Sequence, residues 1–163
     1  MIRYTVLDSP LGAMPCARDD EGIITLLLPH GRGGAVPAAS WVHDDTAFDD
    51  VRTQLAEYFA GTRITFELPL HLLGSAFQRK VWAGLLEIPC GTTTSYGELA
   101  TTIGVPGAAR AVGLANGQNP VPIIVPCHRV IGANGSLTGY GGGLDAKRWL
   151  LAHEAAQAGL FAL

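Results

Sequence analysis

Charge is scarce in this chain, cysteine scarcer still, and long apolar runs are missing. Only 15% of the 163 residues are Asp, Glu, Lys or Arg, against 48% hydrophobic. A chain of that make-up collapses around a core and does not stay disordered. Its length suits one ordinary domain, or one with a small appendage, and needs no disulfide to hold it. No apolar run approaches the roughly 20 residues of a membrane span. The start, Met1-Ile2-Arg3-Tyr4-Thr5, lacks the basic region, apolar stretch and cleavage site of a signal peptide. Three irregularly spaced cysteines make no disulfide framework, so a cytoplasmic, reduced protein is expected. Neither CxxC nor HxxxH spacing occurs, and no metal site is expected.

The few charges are unevenly spread. Residues 1–75 carry five Lys/Arg against ten Asp/Glu, and residues 76–150 carry six against three. The net charge of −3 argues against nucleic acid as a partner. The mildly basic second half points instead to an anionic ligand there, or to ordinary surface variation.

Residues 1–7 and 22–28 read as strands, with Ser9-Pro10-Leu11-Gly12 as a turn. Residues 29–40, rich in Gly and Pro, read as a loop. Phe48, Val51, Leu55, Tyr58 and Phe59 recur at helical spacing over roughly 45–60, and Gly61 closes that helix. Residues 63–70 are expected to add a strand. The second part is mainly helical. Ser75 with Gln78, and Ser95 with Glu98, have the spacing of capping boxes. The first opens a helix ending before Pro89, the second a short helix to about Ile103. After Gly104-Val105-Pro106-Gly107 comes a third helix, Ala108 to about Asn116, which makes the pair a helix-turn-helix candidate. Asn119-Pro120-Val121-Pro122 must be extended, and Ile123-Ile124-Val125 reads as a short buried strand or extended segment. Glycine-rich turns fill 132–143, and a last helix spans roughly 145–157. The expected fold is α/β (α+β). A small N-terminal domain, 1–72, carries an antiparallel sheet and a helix. A mainly helical C-terminal domain, 73–163, contains the helix-turn-helix.

The densest chemistry is Pro126-Cys127-His128-Arg129-Val130. A thiol beside an imidazole can become a nucleophilic thiolate, although in extended chain neighbouring side chains face opposite ways. A buried, inert cysteine is the alternative. Arg129 would stiffen the loop through backbone carbonyls. Cys90, in the turn Pro89-Cys90-Gly91, and Cys16, after Pro15, lack an adjacent histidine. His30, His43, His71 and His153 are scattered and read as ordinary histidines. Glu154 follows Leu150 and Leu151 by four and three residues and so shares their face. An acid on an apolar face is expensive unless paired. It is either an orienting carboxylate for a histidine or a partly exposed glutamate near a helix end. The third helix offers Arg110 among Ala108, Ala109, Ala111 and Gly113. It either presses on DNA with one penetrating side chain, in the minor groove, or packs its small residues against another helix.

Several segments together resemble the O6-alkylguanine-DNA alkyltransferases, or methylated-DNA–protein-cysteine S-methyltransferases. They are Ile124-Val125-Pro126-Cys127-His128-Arg129-Val130, Ala109-Arg110-Ala111-Val112-Gly113, Asn119-Pro120 and Thr138-Gly139-Tyr140-Gly141-Gly142-Gly143-Leu144. The resemblance spans nearly the whole chain and is strongest from Phe77 to Glu154. The N-terminal part matches through Asp8-Ser9-Pro10-Leu11-Gly12 and Tyr58-Phe59-Ala60-Gly61.

The resemblance implies roles. Cys127 is the alkyl acceptor, His128 its base through a bound water, and Glu154 the residue that orients His128. Asn119 ties the helix-turn-helix to the active-site segment. Tyr96 crowds the target's phosphate and supports the leaving guanine. Arg110 fills the gap left by the flipped base, flanked by Ala108, Ala109, Ala111 and Gly113. Tyr140, Gly141 and backbone groups around Val125 and Val130 form the guanine pocket. The implied reaction is a single, irreversible transfer from O6 of guanine, and less well from O4 of thymine, in double-stranded DNA. No cofactor, metal, membrane or obligate protein partner is implied, and the protein is expected to be a monomer, with the nucleoid if bacterial. Cys90 departs from the tyrosine common in the family. Pro15-Cys16 is expected to interrupt the second N-terminal strand. The zinc site of some members is not expected, nor is an added regulatory domain. Two other readings stay open. A non-catalytic module that binds alkylated bases would lack the reactive cysteine, and a Cys-His hydrolase would need neither Arg110 nor the helix-turn-helix.

Overall fold

The computed structural model describes residues 1–29, 37–137, 140 and 143–161, with the side chains of 159–161 left out. The loop around His30 and the expected pocket residue Gly141 lie outside the described residues. Four strands form the N-terminal sheet: β1 (Arg3–Leu7), β2 (Met14–Arg18), β3 (Ile23–Leu26) and β4 (Val42–His43). Their order is β3-β2-β1-β4. The first three run antiparallel, and β4 is a short parallel edge on β1 that the sequence reading did not include.

Pro15-Cys16 does not interrupt the second strand. Both residues lie within β2, paired with Val6 and Thr5 of β1. Proline lacks only its N–H, and the Pro15 carbonyl still accepts from Leu27 N at 2.9 Å. The strand expected at 63–70 is also corrected: only its end touches the sheet, where Ile23 N donates to Pro69 O and His71 N to Ile23 O, both at 2.9 Å. The strand read at 22–28 shortens to Ile23–Leu26.

Sharing a core with the sheet is α1 (Asp49–Ala60), entered through a 3-10 turn at Thr46–Phe48. Val51, Leu55 and Tyr58 form its buried stripe, and Asp49 and Asp50 favour its N-terminal dipole. Gly61, left-handed at φ +85°, ends it by donating to Tyr58 O, while Thr62 N reaches Glu57 O.

In the C-terminal part, α2 (Ala76–Leu86) opens on a complete capping box between Ser75 and Gln78. The second box is only half as read. Ser95 Oγ accepts from Glu98 N and gives its own hydrogen to the Glu98 carboxylate. It starts α3 (Tyr96–Thr102), and a turn through Gly104 and Gly107 leads to α4 (Ala109–Gly117). Trp82 Nε1 donates to Ala115 O at 2.9 Å, fixing α4 on α2. Among the described residues no helix is long and apolar enough to cross a membrane.

Ile123-Ile124-Val125 is not a strand. Ile123 adopts φ +74° and Val125 N turns back to Val121 O at 2.9 Å. A β-branched residue in that region is strained by about 1–2 kcal/mol, which burial of Ile123, Ile124 and Val125 offsets. The chain then forms a 3-10 turn at Cys127–Arg129 and β6 (Val130–Ile131). Beside β6 runs β5 (Thr94–Ser95), parallel to it and leading directly into α3. The last helix, α5 (Leu144–Phe161), is longer at both ends than the expected 145–157.

The turn at Pro89-Cys90-Gly91 rests directly on α5. Gly91 has φ +83°, and a Cβ there would collide with Ala158 and stand 3.4 Å from Glu154 O. Left-handed strain and overpacking together predict that Gly91→Ala lowers stability by about 2–4 kcal/mol. Urea unfolding of the variant beside the parent protein measures this.

Candidate active site and DNA-facing helix

The 3-10 turn sets the geometry of the Cys-His pair. In an extended chain Cys127 and His128 would face opposite ways, but here both side chains turn into the interior. Residues on such a turn are about a third of a revolution apart. His128 is fully buried, and its Nε2 bonds Glu154 Oε2 at 2.7 Å. The expected alternative for Glu154, a partly exposed glutamate, is excluded by its 1% exposure.

Arg129 does more than stiffen the loop. Its Nη1 donates to Ile88 O at 2.6 Å, but its Nε and Nη2 fork onto the two Glu154 oxygens at 2.8 and 2.9 Å. A third donor comes from α1: the Tyr58 hydroxyl reaches Glu154 Oε2 at 2.7 Å. Burial alone would raise the Glu154 carboxyl, but the bonds from His128 and Arg129 outweigh it and hold the group well below the usual range. Burial lowers His128, against the pull of Glu154. The imidazole is therefore neutral, with Nε2–H on Glu154. Its Nδ1 is buried with no hydrogen-bond partner among the described residues.

Burial pushes the Cys127 thiol up, opposed by Asn119, Tyr140 and the Lys147 ammonium. Asn119 bridges the approach to the site, with Nδ2 donating to Val125 O at 2.8 Å and Oδ1 accepting from Val121 N at 3.0 Å. Asn116 of α4 donates to Cys127 O at 3.3 Å. Val130 is buried and its carbonyl accepts from Lys147 Nζ at 2.7 Å. That ammonium, itself fully buried, lies 5.9 Å from the centre of the Tyr140 ring.

Sequence reasoning missed Lys147, Tyr58 and Asn116 as parts of this site. Lys147 had a signal: it precedes Glu154 by seven residues on the Leu150–Leu151 face of α5. Tyr58 had none beyond its place in the stripe of α1. Cys90 lies near Arg129 and Glu154, and burial raises its thiol to about 11. Cys16 is buried in the sheet and raised to about 12, which makes it inert. No group of three or more His, Cys, Asp or Glu side chains among the described residues is arranged to hold a metal.

The outer face of α4 belongs to the same assembly. Arg110 and Ala111 are exposed, Ala108, Ala109 and Gly113 half-buried, and Val112, Ala115 and Asn116 packed inside. Leu114, one turn beyond Arg110, is 66% exposed, so the surface is not only alanine and glycine. Tyr96, at the start of α3, lies over Gly113, where an added Cβ would stand 3.5 Å from its ring.

A thiol, an imidazole and a carboxylate at the end of a helix-turn-helix are the parts of a thiol-dependent enzyme that works on DNA. Two family models cover the chain. Residues 2–72 match the 6-O-methylguanine DNA methyltransferase, ribonuclease-like domain, and residues 76–156 the DNA binding domain of the same enzyme. The methylated-DNA–protein-cysteine methyltransferase of Mycolicibacterium paratuberculosis is 53% identical over 154 residues, 94% of this chain and 93% of that one. Its namesake from Methanosarcina acetivorans is 48% identical over 93% of this chain and 97% of its own. A crystal structure of Mycobacterium tuberculosis OGT in complex with DNA superposes with a TM-score of 0.89, at 49% identity over 95% of this chain and 94% of that one. The chain belongs to the methylated-DNA–protein-cysteine methyltransferase family.

Two measurements probe the electrostatics of the site. With both partners neutral at rest, the difference in thiolate absorbance between parent and Cys127→Ser should be flat at pH 7 and rise only above pH 9, the ordinary thiol value. Glu154→Gln leaves Arg129 buried without its counter-ion and should cost about 3–5 kcal/mol, a drop in thermal midpoint on the order of 10 °C. Because the Glu154 value is depressed, its contribution is complete above pH 4.5 and lost as pH falls through the lower folded value. The parent protein should therefore lose its advantage over Glu154→Gln as acid is added.

Proposed function

We propose that the protein repairs DNA by moving an alkyl group from O6 of a flipped-out guanine onto Cys127, once per molecule. The buried Cys127–His128–Glu154 arrangement, joined to α4 through Asn116 and Asn119, is the observation that carries this reading.

O6 of a paired guanine is closed to attack inside a duplex, so the base must leave the stack at a cost of a few kcal/mol. Arg110, alone and exposed on α4, takes the place of the extruded base. Ala108, Ala109, Ala111 and Gly113 let the helix lie close to the minor groove whatever its sequence, with Tyr96 crowding the phosphate. In the pocket, Tyr140, Gly141 and the backbone around Val125 and Val130 hold the base.

The chemistry is a displacement at the alkyl carbon. The Cys127 proton passes through a bound water to His128 Nδ1, and Glu154 stabilises the imidazolium. The sulfur–carbon bond forms as the carbon–O6 bond breaks, and the electron pair stays on guanine. Guanine takes up a proton at the O6/N1 edge, helped by Tyr96. Lys147 and the Tyr140 hydroxyl stabilise the thiolate while it exists. The thioether is stable, and on this reading it is not returned to a thiol.

The substrate on this reading is double-stranded DNA carrying O6-alkylguanine, with O4-alkylthymine a poorer one. The protein acts as a monomer in the cytoplasm, at the nucleoid if bacterial, without a cofactor. Residues 1–72 form one domain and 73–163 the other. A non-catalytic binding module has no use for the thiol and its relay.

Mass spectrometry of the intact protein after excess duplex carrying O6-methylguanine tests the reading. One added methyl, mapped to Cys127 and stopping at one equivalent, is expected. Retained binding with no mass change would overturn the transfer reading. Arg110→Ala should slow transfer from duplex on the order of tenfold or more. Its reaction with free O6-benzylguanine should change less, and equal loss on both would remove the finger role.

A further inference from the structure

Glu154 is gripped from both halves of the molecule. His128 and Arg129 reach it from the active-site turn, and Tyr58 reaches it from the end of α1. The Tyr58 hydroxyl and His128 Nε2 both bond Oε2 at 2.7 Å, and Arg129 Nη2 meets the same oxygen at 2.9 Å. The phenol has no room to swing away. It is fully buried, with Phe59, Phe66 and His153 ring centres 5.2–5.4 Å from its own. The Tyr58 backbone is clamped as well: its carbonyl accepts from His153 Nε2 at 2.7 Å and Gln157 Nε2 at 3.3 Å, on either side of Glu154.

We propose that Tyr58 is a positioning residue for the proton relay: by donating to Glu154 Oε2 it limits the charge that this oxygen presents to His128. The proposal rests on the relay described above. A carboxylate oxygen shares its negative charge among its donors, so each donor weakens the pull on the others. The Arg129 fork alone keeps the carboxylate in place. Losing the Tyr58 hydroxyl therefore leaves the geometry standing and strengthens the hold of Oε2 on the imidazole proton. His128 then stays protonated to higher pH, and less free base is available to take the thiol proton. The other groups facing the pair do not substitute for this bond. Lys147 and Arg129 are cations that disfavour the imidazolium, and the Cys90 thiol and Tyr140 hydroxyl are both raised by burial and remain neutral. Tyr58 itself is pushed far up by burial and by the Glu154 charge, so it remains a donor throughout the working range.

Three proteins test this: the parent, Tyr58→Phe, and a form with 3-fluorotyrosine at position 58. The fluorinated ring has nearly the same shape and is a stronger donor. In Tyr58→Phe the acidic limb of the single-turnover transfer rate should move up by about half a pH unit, a loss of about threefold on that limb. The fluorotyrosine form should move it the other way. Nitrogen NMR of the His128 ring in the free protein should show the matching shifts in imidazole titration. Unchanged profiles and unchanged ring signals in both forms would overturn the proposal, even if Tyr58→Phe melts at lower temperature. Should Tyr58→Phe fail to fold, the fluorotyrosine form decides alone. If instead the relay reading is wrong, His128→Asn will keep the parent's acidic limb, and the ring signals will still report on Tyr58.

Discussion

A carboxylate sealed from water must be matched by donors, and Glu154 is matched by a guanidinium and an imidazole from the active-site turn and a phenol from α1. The cost of burying that charge unpaired is several kcal/mol, so the arrangement forces α5, the Cys127–Arg129 turn and the end of α1 to meet at one point. Loss of the Arg129 approach in particular leaves the buried carboxylate without its counter-ion. That makes Glu154 as much an architectural constraint as a chemical one. Gly91, with no side chain to hold α5 away, and the His153 and Gln157 bonds to α1 serve the same junction.

The electrostatics around Cys127 favour a quiet resting state. Burial keeps both the thiol and the imidazole neutral. A buried lysine and a tyrosine hydroxyl stand ready for the charged form without creating it. On the proposed reading this suits a protein that reacts once. A standing thiolate would be consumed by any passing electrophile, whereas a neutral pair ionises as the alkyl carbon comes into line. The reactivity then belongs to the assembled complex, with guanine as leaving group, more than to the free cysteine.

Much of this was legible in the sequence wherever the signal was local. Ser75 with Gln78, the stripe of α1, Gly61 and the two short helices all follow from spacing and capping chemistry. Glu154 stood out because a charged residue sat on an apolar face. What compensates it was not legible. Tyr58 is an ordinary member of an amphipathic stripe, and only tertiary packing aims its hydroxyl across the molecule. Lys147 shares the face of Glu154, but its spacing alone does not show that its ammonium is fully buried and bonded to the Val130 carbonyl. The errors were also non-local. Pro15 remains in a strand because only its carbonyl is needed there, and Ile123 takes a left-handed turn that neither its β-branched side chain nor its neighbours suggest. Tight turns held by burial contradict local propensity, and here that happens four residues before Cys127.

The link between α4 and the Cys127 turn is short and stiff. Trp82 locks α4 to α2, Asn116 ties α4 to the Cys127 carbonyl, and Asn119 holds the segment between them. The two-stranded pairing of β5 with β6 joins the residue before Tyr96 to the exit of the active-site turn. None of these ties runs through a long exposed side chain. On the proposed reading, a helix placed against the minor groove carries Cys127 to a fixed position relative to the duplex. Accuracy of that placement depends on the scaffold, not on contacts to the bases. On that reading a surface of alanine, glycine, one arginine and one leucine is enough for a protein that ignores sequence, and its selectivity is for a base that can be brought out of the stack to a sulfur already held in place.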